Sequence, residues 1–106
     1  MDIQLKRGLL DVCVLAAIKN EDCYGYQIIK DMKPYVELSE STLYPVLRRL
    51  QKDECLVVYD QECAGRNRRY YKITERGSAQ LSLYENEWKR YSEKITSMFK
   101  GGTVNE

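Results

Sequence analysis

The sequence predicts a mainly α fold carrying one β-hairpin, ordered as three helices, the hairpin and a long final helix. Three observations support this. Apolar residues recur at helical spacing over Leu43, Val46, Leu47 and Leu50, and again from Leu81 to Met98. Two β-branched and aromatic runs, Leu56–Gln61 and Arg68–Ile73, flank a turn that contains Gly65. Pro34 lies between the second and third segments, where a helix must stop.

The first segment, from about Ile3 to Lys19, is apolar on nearly every face (Leu5, Leu9, Leu10, Val12, Cys13, Val14, Leu15). A helix apolar all round is a buried one, so this should be a central helix. The run Leu9–Ile18 follows Lys6 and Arg7 and faintly imitates a secretion signal. Asp11 interrupts it, it is too short to span a bilayer, and no small-residue cleavage site follows. The expectation is a cytoplasmic protein with no membrane partner. Asn20–Cys23 reads as a polar break. A second helix, Tyr24–Lys33, places Ile28, Ile29 and Met32 toward the core.

Ser39 or Ser41 can cap a third helix that runs to about Asp53. Its apolar stripe leaves Thr42, Tyr44, Pro45, Arg48, Arg49 and Lys52 on the opposite side. Pro45 would cost about 3 kcal/mol deep inside a helix, so it belongs near the start. Leu56–Gln61 is then a strand, Glu62–Asn67 the turn and Arg68–Ile73 the return strand. Tyr71 and Ile73 take one face of that strand, Tyr70 and Lys72 the other. Thr74 caps the last helix, Glu75 to about Lys100, which Gly101–Gly102 end. Residues 1–76 therefore form one compact unit, 77–100 an association helix and 101–106 a flexible tail.

Composition narrows the function. The chain has 106 residues, 43% hydrophobic and 31% charged, with a net charge of +1. The overall charge does not mark a nucleic-acid binder, but its distribution does. Residues 48–77 carry eight Lys/Arg against five acids, whereas residues 1–47 carry five against seven. There is no histidine, and the four cysteines (13, 23, 55, 63) lack C-x-x-C spacing. No zinc site, cofactor or disulfide framework is expected. With no imidazole, no phosphate-binding glycine loop and no nucleophile–base pair, neither is an enzyme. Cys13 reads as a core residue. Cys63 should lie at an exposed hairpin tip, and Cys55 and Cys63 are the thiols to consider for oxidant sensing.

The second and third helices, joined by a short connection, have the layout of a helix-turn-helix, whose second helix enters the major groove of DNA. Ser41, Thr42 and Tyr44 supply groove-facing hydroxyls; Arg48 and Arg49 supply cations for phosphates. A merely solvated helix face would look similar. The hairpin favours nucleic acid, because Gly65–Lys72 packs Arg66, Arg68, Arg69 and Lys72 beside Tyr70 and Tyr71. Guanidinium groups pair bidentately with phosphate oxygens, and the Tyr70 phenol can donate to one. Edge-strand charges that only prevent aggregation explain one or two cations, not four. The fold is thus a winged helix-turn-helix with a long C-terminal helix. On that helix Leu81, Tyr84, Trp88, Tyr91, Ile95 and Met98 are spaced 3, 4, 3, 4, 3, a heptad seam. Leu81 and Tyr84 suit the chain's own core; from Trp88 onward the seam suits a second copy of the chain. A homodimer would match a palindromic double-stranded operator. A winged-helix module that only meets an acidic protein remains the alternative.

Tyr24-Gly25-Tyr26, Glu40-Ser41-Thr42-Leu43-Tyr44-Pro45 with Leu47-Arg48-Arg49-Leu50, and Arg69-Tyr70-Tyr71-Lys72-Ile73-Thr74-Glu75-Arg76-Gly77 together resemble the PadR family of bacterial transcription regulators. The likeness covers most of residues 5–100. It implies a dimeric winged helix-turn-helix, usually a repressor released by a small molecule or other signal. The single C-terminal helix resembles the family's short branch. The resemblance implies that Ser41, Thr42, Tyr44 and Arg48 face DNA and that Arg66, Arg68 and Arg69 form the wing. In some short relatives, tryptophans of the paired last helices sandwich flat aromatic drugs. Trp88 lies in the corresponding stretch, and Tyr91 would complete such an effector site. The chain departs from the family after the third helix, where Asp53-Glu54-Cys55 replaces a common glycine. A left-handed cap without glycine costs about 1 kcal/mol, so the helix is expected to end differently.

Overall fold

The computed structural model describes residues 3–101, with side chains from Gly8 onward. Its elements are α1 (Ile3–Ala17), β1 (Cys23–Tyr24), α2 (Gly25–Met32), α3 (Glu40–Lys52), β2 (Leu56–Cys63), β3 (Arg66–Ile73) and α4 (Glu75–Phe99). The expected order of helices and hairpin holds, with one added strand. Leu5 and the tail beyond Gly101 lie outside the described side chains.

One core joins the elements. Val14, Leu15 and Ile18 of the first segment meet Ile28 and Met32 of α2, the four-residue stripe of α3, Leu56, Tyr71 and Leu81. α1 is less enclosed than its composition suggests. Leu9, Val12 and Cys13 are half-buried and Ala16 is exposed, because only the first part of α4 covers that side. Cys13 accordingly packs at the rim of the core, not within it.

The polar break after α1 ends in a strand. Cys23 pairs with Tyr71 and Tyr24 with Tyr70, giving a three-stranded antiparallel sheet in the order β1-β3-β2. Cys23 is buried, with its thiol donating to the Glu21 carbonyl at 3.3 Å. The hairpin is also tighter than the predicted Glu62–Asn67 turn. Its strands run to a closing pair, Cys63 and Arg66, and only Ala64 and Gly65 turn the chain. Both have positive φ, 54° and 77°, the two-residue turn whose twist matches the strands.

Ser39 caps α3: its hydroxyl accepts from the Thr42 N–H at 3.3 Å and bonds the Ser41 and Thr42 hydroxyls at 2.9 and 3.1 Å. Pro45 sits in the second turn, where its missing N–H leaves the Ser41 carbonyl without a helical donor. At the other end Glu54 takes the left-handed conformation (φ 63°) despite carrying a side chain. The Cys55 N–H bonds the Leu50 carbonyl at 2.9 Å and the Glu54 N–H bonds Gln51 at 3.0 Å, a complete Schellman cap. The helix therefore ends as a glycine would end it, at some cost in strain, contrary to expectation.

Tertiary bonding explains why that strain is tolerated. Thr74, the N-cap of α4, accepts from the Gly77 N–H at 3.0 Å and donates to the Glu54 carbonyl at 2.7 Å. The Thr74 N–H reaches the Cys55 carbonyl at 3.1 Å. A Cβ on Gly77 would fall on that same carbonyl oxygen, so only glycine permits so close an approach. The end of α3 and the start of α4 are clasped together. Beyond Trp88, α4 projects from the body, giving extents of 61 × 26 × 22 Å.

Candidate nucleic-acid interface

The polar surface of interest lies between α3 and the hairpin. Leu43, Val46, Leu47 and Leu50 turn inward, which points Tyr44, Arg48 and Gln51 outward on the side facing β3. There they join Arg68, Arg69, Tyr24 and Tyr26 around a groove of about 460 Å³. No carboxylate lines it. The Tyr44 hydroxyl packs against the α-carbon of Gly25, where a Cβ would lie 2.6 Å from the oxygen. Tyr24-Gly25-Tyr26 and Tyr44 are thus two halves of one contact. Tyr71 forms the floor. Burial pushes its phenol above the ordinary range, the neighbouring Tyr44 adds to this, and Arg69 and Arg48 oppose it.

The wing cations differ in their partners. Arg69 forms an exposed ion pair with Asp60 across the hairpin at 3.4 Å, a contact weak enough to exchange for phosphate. Arg68 lies 4.4 Å over the Tyr24 ring. Arg48, Arg66 and Arg68 have no carboxylate partner among the described residues. Ser41 and Thr42 are exposed in the first turn of α3, outside the groove but on the helix end that leads into it.

Two expected contacts are redirected. Arg49 does not face the groove: its guanidinium clamps Asp11 of α1 through bonds of 2.6 and 3.3 Å. The hydrogen bond to Asp11 holds it more firmly protonated than an ordinary arginine. Arg49 fixes α3 to α1 and is taken from the set of free cations. Tyr70 lines neither this groove nor its neighbour. It is half-buried in a row of tyrosines across the outer sheet face, stacked on Tyr59 (5.6 Å) and edge-on to Tyr24 (5.7 Å). The Tyr59 phenol donates to Asp22 at 2.6 Å, and that bond, with burial, pushes its pKa up to about 12. Reading the sequence missed Gln51, Tyr24 and Tyr26. Gln51 could have been found, since it is seven residues from Tyr44 and three from Arg48.

Along the predicted seam, Leu81 is buried and Tyr84 half-buried against α1. Trp88 is 41% exposed, Tyr91 48% and Met98 66%, with Ile95 half-buried. Trp88 and Tyr84 edge an apolar groove of about 330 Å³ with Leu9, Val12 and Cys13 of α1; Tyr91 lies beyond it. Of the two thiols considered for oxidant sensing, Cys55 is buried and pushed up by that burial and by Asp53, so it is shielded. Cys63 is exposed at the hairpin tip as expected. No group of residues suited to hold a metal ion occurs among the described residues, and no described helix is long and apolar enough to cross a membrane.

Fold and groove together define a winged helix-turn-helix protein of the DNA-binding regulator class. Residues 14–83 match the Transcriptional regulator PadR-like family, and the chain belongs to that family. It is 36% identical over 100 residues to an uncharacterised protein of Lysinibacillus sphaericus, covering 90% of this chain and 92% of the relative. Among solved structures, smu.1704 of Streptococcus mutans superposes with a TM-score of 0.85 at 35% identity, covering 94% of each chain. A PadR-like transcription factor of Bacteroides fragilis does so at 0.78 and 33% identity, covering 90% and 94%.

Proposed function

We propose that the chain acts as a homodimeric, sequence-specific repressor that binds a palindromic operator and is released by a small-molecule or other signal. The observation that carries this reading is the carboxylate-free groove that brings Arg48 and Gln51 of α3 to Arg68 and Arg69 of β3. Ser41, Thr42 and Tyr44 would read or position bases, while Arg48, Arg68, Arg69 and Arg66 meet phosphates. Dimerisation through Trp88, Tyr91, Ile95 and Met98 is supported by the exposure of Trp88, Tyr91 and Met98 on a helix that projects from the body. The half-covered face of α1 beside Trp88 would complete the interface.

The test is a gel shift on DNA upstream of the chain's own coding sequence, across a salt series. Arg68→Ala/Arg69→Ala should weaken binding across sequences and reduce the slope of log K against log salt by about two. An unchanged affinity and slope would sink the wing assignment. A second reading, an aromatic effector site at Trp88 and Tyr91, draws support from the apolar groove that Trp88 edges. Fluorescence titration of this single tryptophan with planar cations tests it, and a flat response across a broad panel would count against drug sensing.

A further inference from the structure

The hairpin is joined to the start of α2 by little backbone. β1 supplies two pairs, Cys23 with Tyr71 and Tyr24 with Tyr70, and β2 lies on the far side of β3. Side chains on the outer sheet face span what the backbone does not. The Tyr59 phenol of β2 donates to Asp22 at 2.6 Å, Tyr59 stacks on Tyr70 of β3, and Tyr70 meets Tyr24 of β1 edge-on. Arg68 ends the row, its guanidinium 4.4 Å over the Tyr24 ring. Strands lie about 4.8 Å apart, so β2 and β1 are separated by about 10 Å with β3 between them. The Tyr59–Asp22 bond crosses that distance directly, from one edge strand to the residue before the other.

Neither Asp22 nor Tyr59 lines the α3–wing groove or its neighbour of about 570 Å³ beside Arg66 and Asn67, whereas Tyr24 and Arg68 line both. The pair stands outside the candidate DNA surface and reaches it only through the rings of Tyr70 and Tyr24. We propose that Asp22 and Tyr59 are positioning residues for DNA binding: touching no DNA themselves, they lock the tyrosine row that holds Arg68, and with it the wing, at its binding angle. The inference rests on the DNA-binding reading above and deepens it. A ring free to slide releases the guanidinium stacked on it. An arginine on a fixed ring has already given up rotamer freedom and loses less on meeting an anion. The bond to Asp22, with burial, pushes the Tyr59 pKa up to about 12, so the phenol stays a donor across the neutral range.

The test is a double-mutant cycle on the full-length chain, with the DNA upstream of its coding sequence and a generic duplex as probes. Tyr59→Phe keeps the ring and loses the bond, and should weaken binding to both by about fivefold. In an Arg68→Ala background the same change should alter affinity by less than about twofold, because the side chain it positions is gone. Asp22→Ala should behave as Tyr59→Phe does, whereas Asp22→Asn, whose side-chain carbonyl still accepts the phenol proton, should recover binding. Both Asp22 variants remove the same charge, so the difference between them reads the bond and not the field. Circular dichroism at the binding temperature checks that each variant is folded. Wild-type affinity in Tyr59→Phe, a fivefold loss that persists without Arg68, or equal binding by Asp22→Asn and Asp22→Ala would each overturn the positioning role while leaving the DNA-binding reading standing. A wild-type chain that retains neither duplex would overturn both.

Discussion

Replacing Gly77 with alanine probes the clasp between α3 and α4. In an open first turn the change would favour the helix by about 1 kcal/mol. Here the new methyl would fall on the Cys55 carbonyl oxygen, 3.0 Å from its carbon and 2.9 Å from Ile73 Cγ1. Ile73 can turn aside, but the carbonyl is backbone and already accepts from the Thr74 N–H at 3.1 Å. Relief therefore requires α4 to lift, which strains the Thr74 cap as well. Overpacking of this kind costs about 1–3 kcal/mol and a lost cap about 1 kcal/mol. Set against the propensity gain, the net loss is about 2 kcal/mol, or about 10 °C of melting temperature for a chain this size. Thermal unfolding followed by circular dichroism, at one fixed protein concentration, measures it, because self-association would make the midpoint concentration-dependent. A Gly77→Ala protein that melts at or above wild type would refute the close approach.

Glu54→Gly should raise stability by about 0.5–1 kcal/mol, measured by urea unfolding, because it relieves a left-handed residue at a cap otherwise fully bonded. Arg49→Ala should cost about 1 kcal/mol of stability by unpairing Asp11 yet leave the salt slope of DNA binding unchanged, whereas Arg48→Ala should lower that slope by about one. If Arg49→Ala lowered the slope as Arg48→Ala does, the clamp would not hold in solution. Tyr59 should titrate near pH 12 in ultraviolet phenolate absorbance, and Tyr59→Phe should remove that step. Its raised pKa in the folded state contributes stability below the ordinary value of 10.0 that is lost as pH climbs toward 12, so wild type, unlike the variant, should lose that increment in this window.

Much of the fold could be read from periodicity. The stripe Leu43–Leu50 is buried to the last residue, and Ser39 and Thr74 cap the helices whose sequence offered them as caps. The two-residue strand Cys23–Tyr24 could not be read that way, since alternation needs more than one repeat and its partner, β3, lies over forty residues away in sequence. Arg66 and Asn67 look like loop residues in the sequence, yet Ala64 and Gly65 turn the chain alone, which makes the tip shorter than composition predicts. At the site, charge clustering found the wing, but it could not tell Arg48 from Arg49. Neighbours on a helix differ by about 100°, which puts Arg48 opposite the stripe and Arg49 on its flank, where only the fold supplies Asp11. Alternation predicts the face on which Tyr70 lies; its engagement with Tyr59 and Tyr24 depends on strand register, which the residues alone do not state.

The Thr74 hydroxyl makes α4 a lever as well as the dimer seam proposed above. Because it grips the Glu54 carbonyl and the Gly77 N–H at once, α3 is coupled to α4 at its base, with little freedom to swivel between them. Twenty-five residues of helix give an arm of about 37 Å. With the distal half paired as proposed, the arm from the middle of that pairing to the base is about 27 Å, and a tilt of about 7° there displaces the base by about 3 Å, close to one base-pair step. An effector that pries the paired helices slightly apart could therefore throw two recognition helices out of phase with the major groove while leaving each DNA-reading surface internally unchanged.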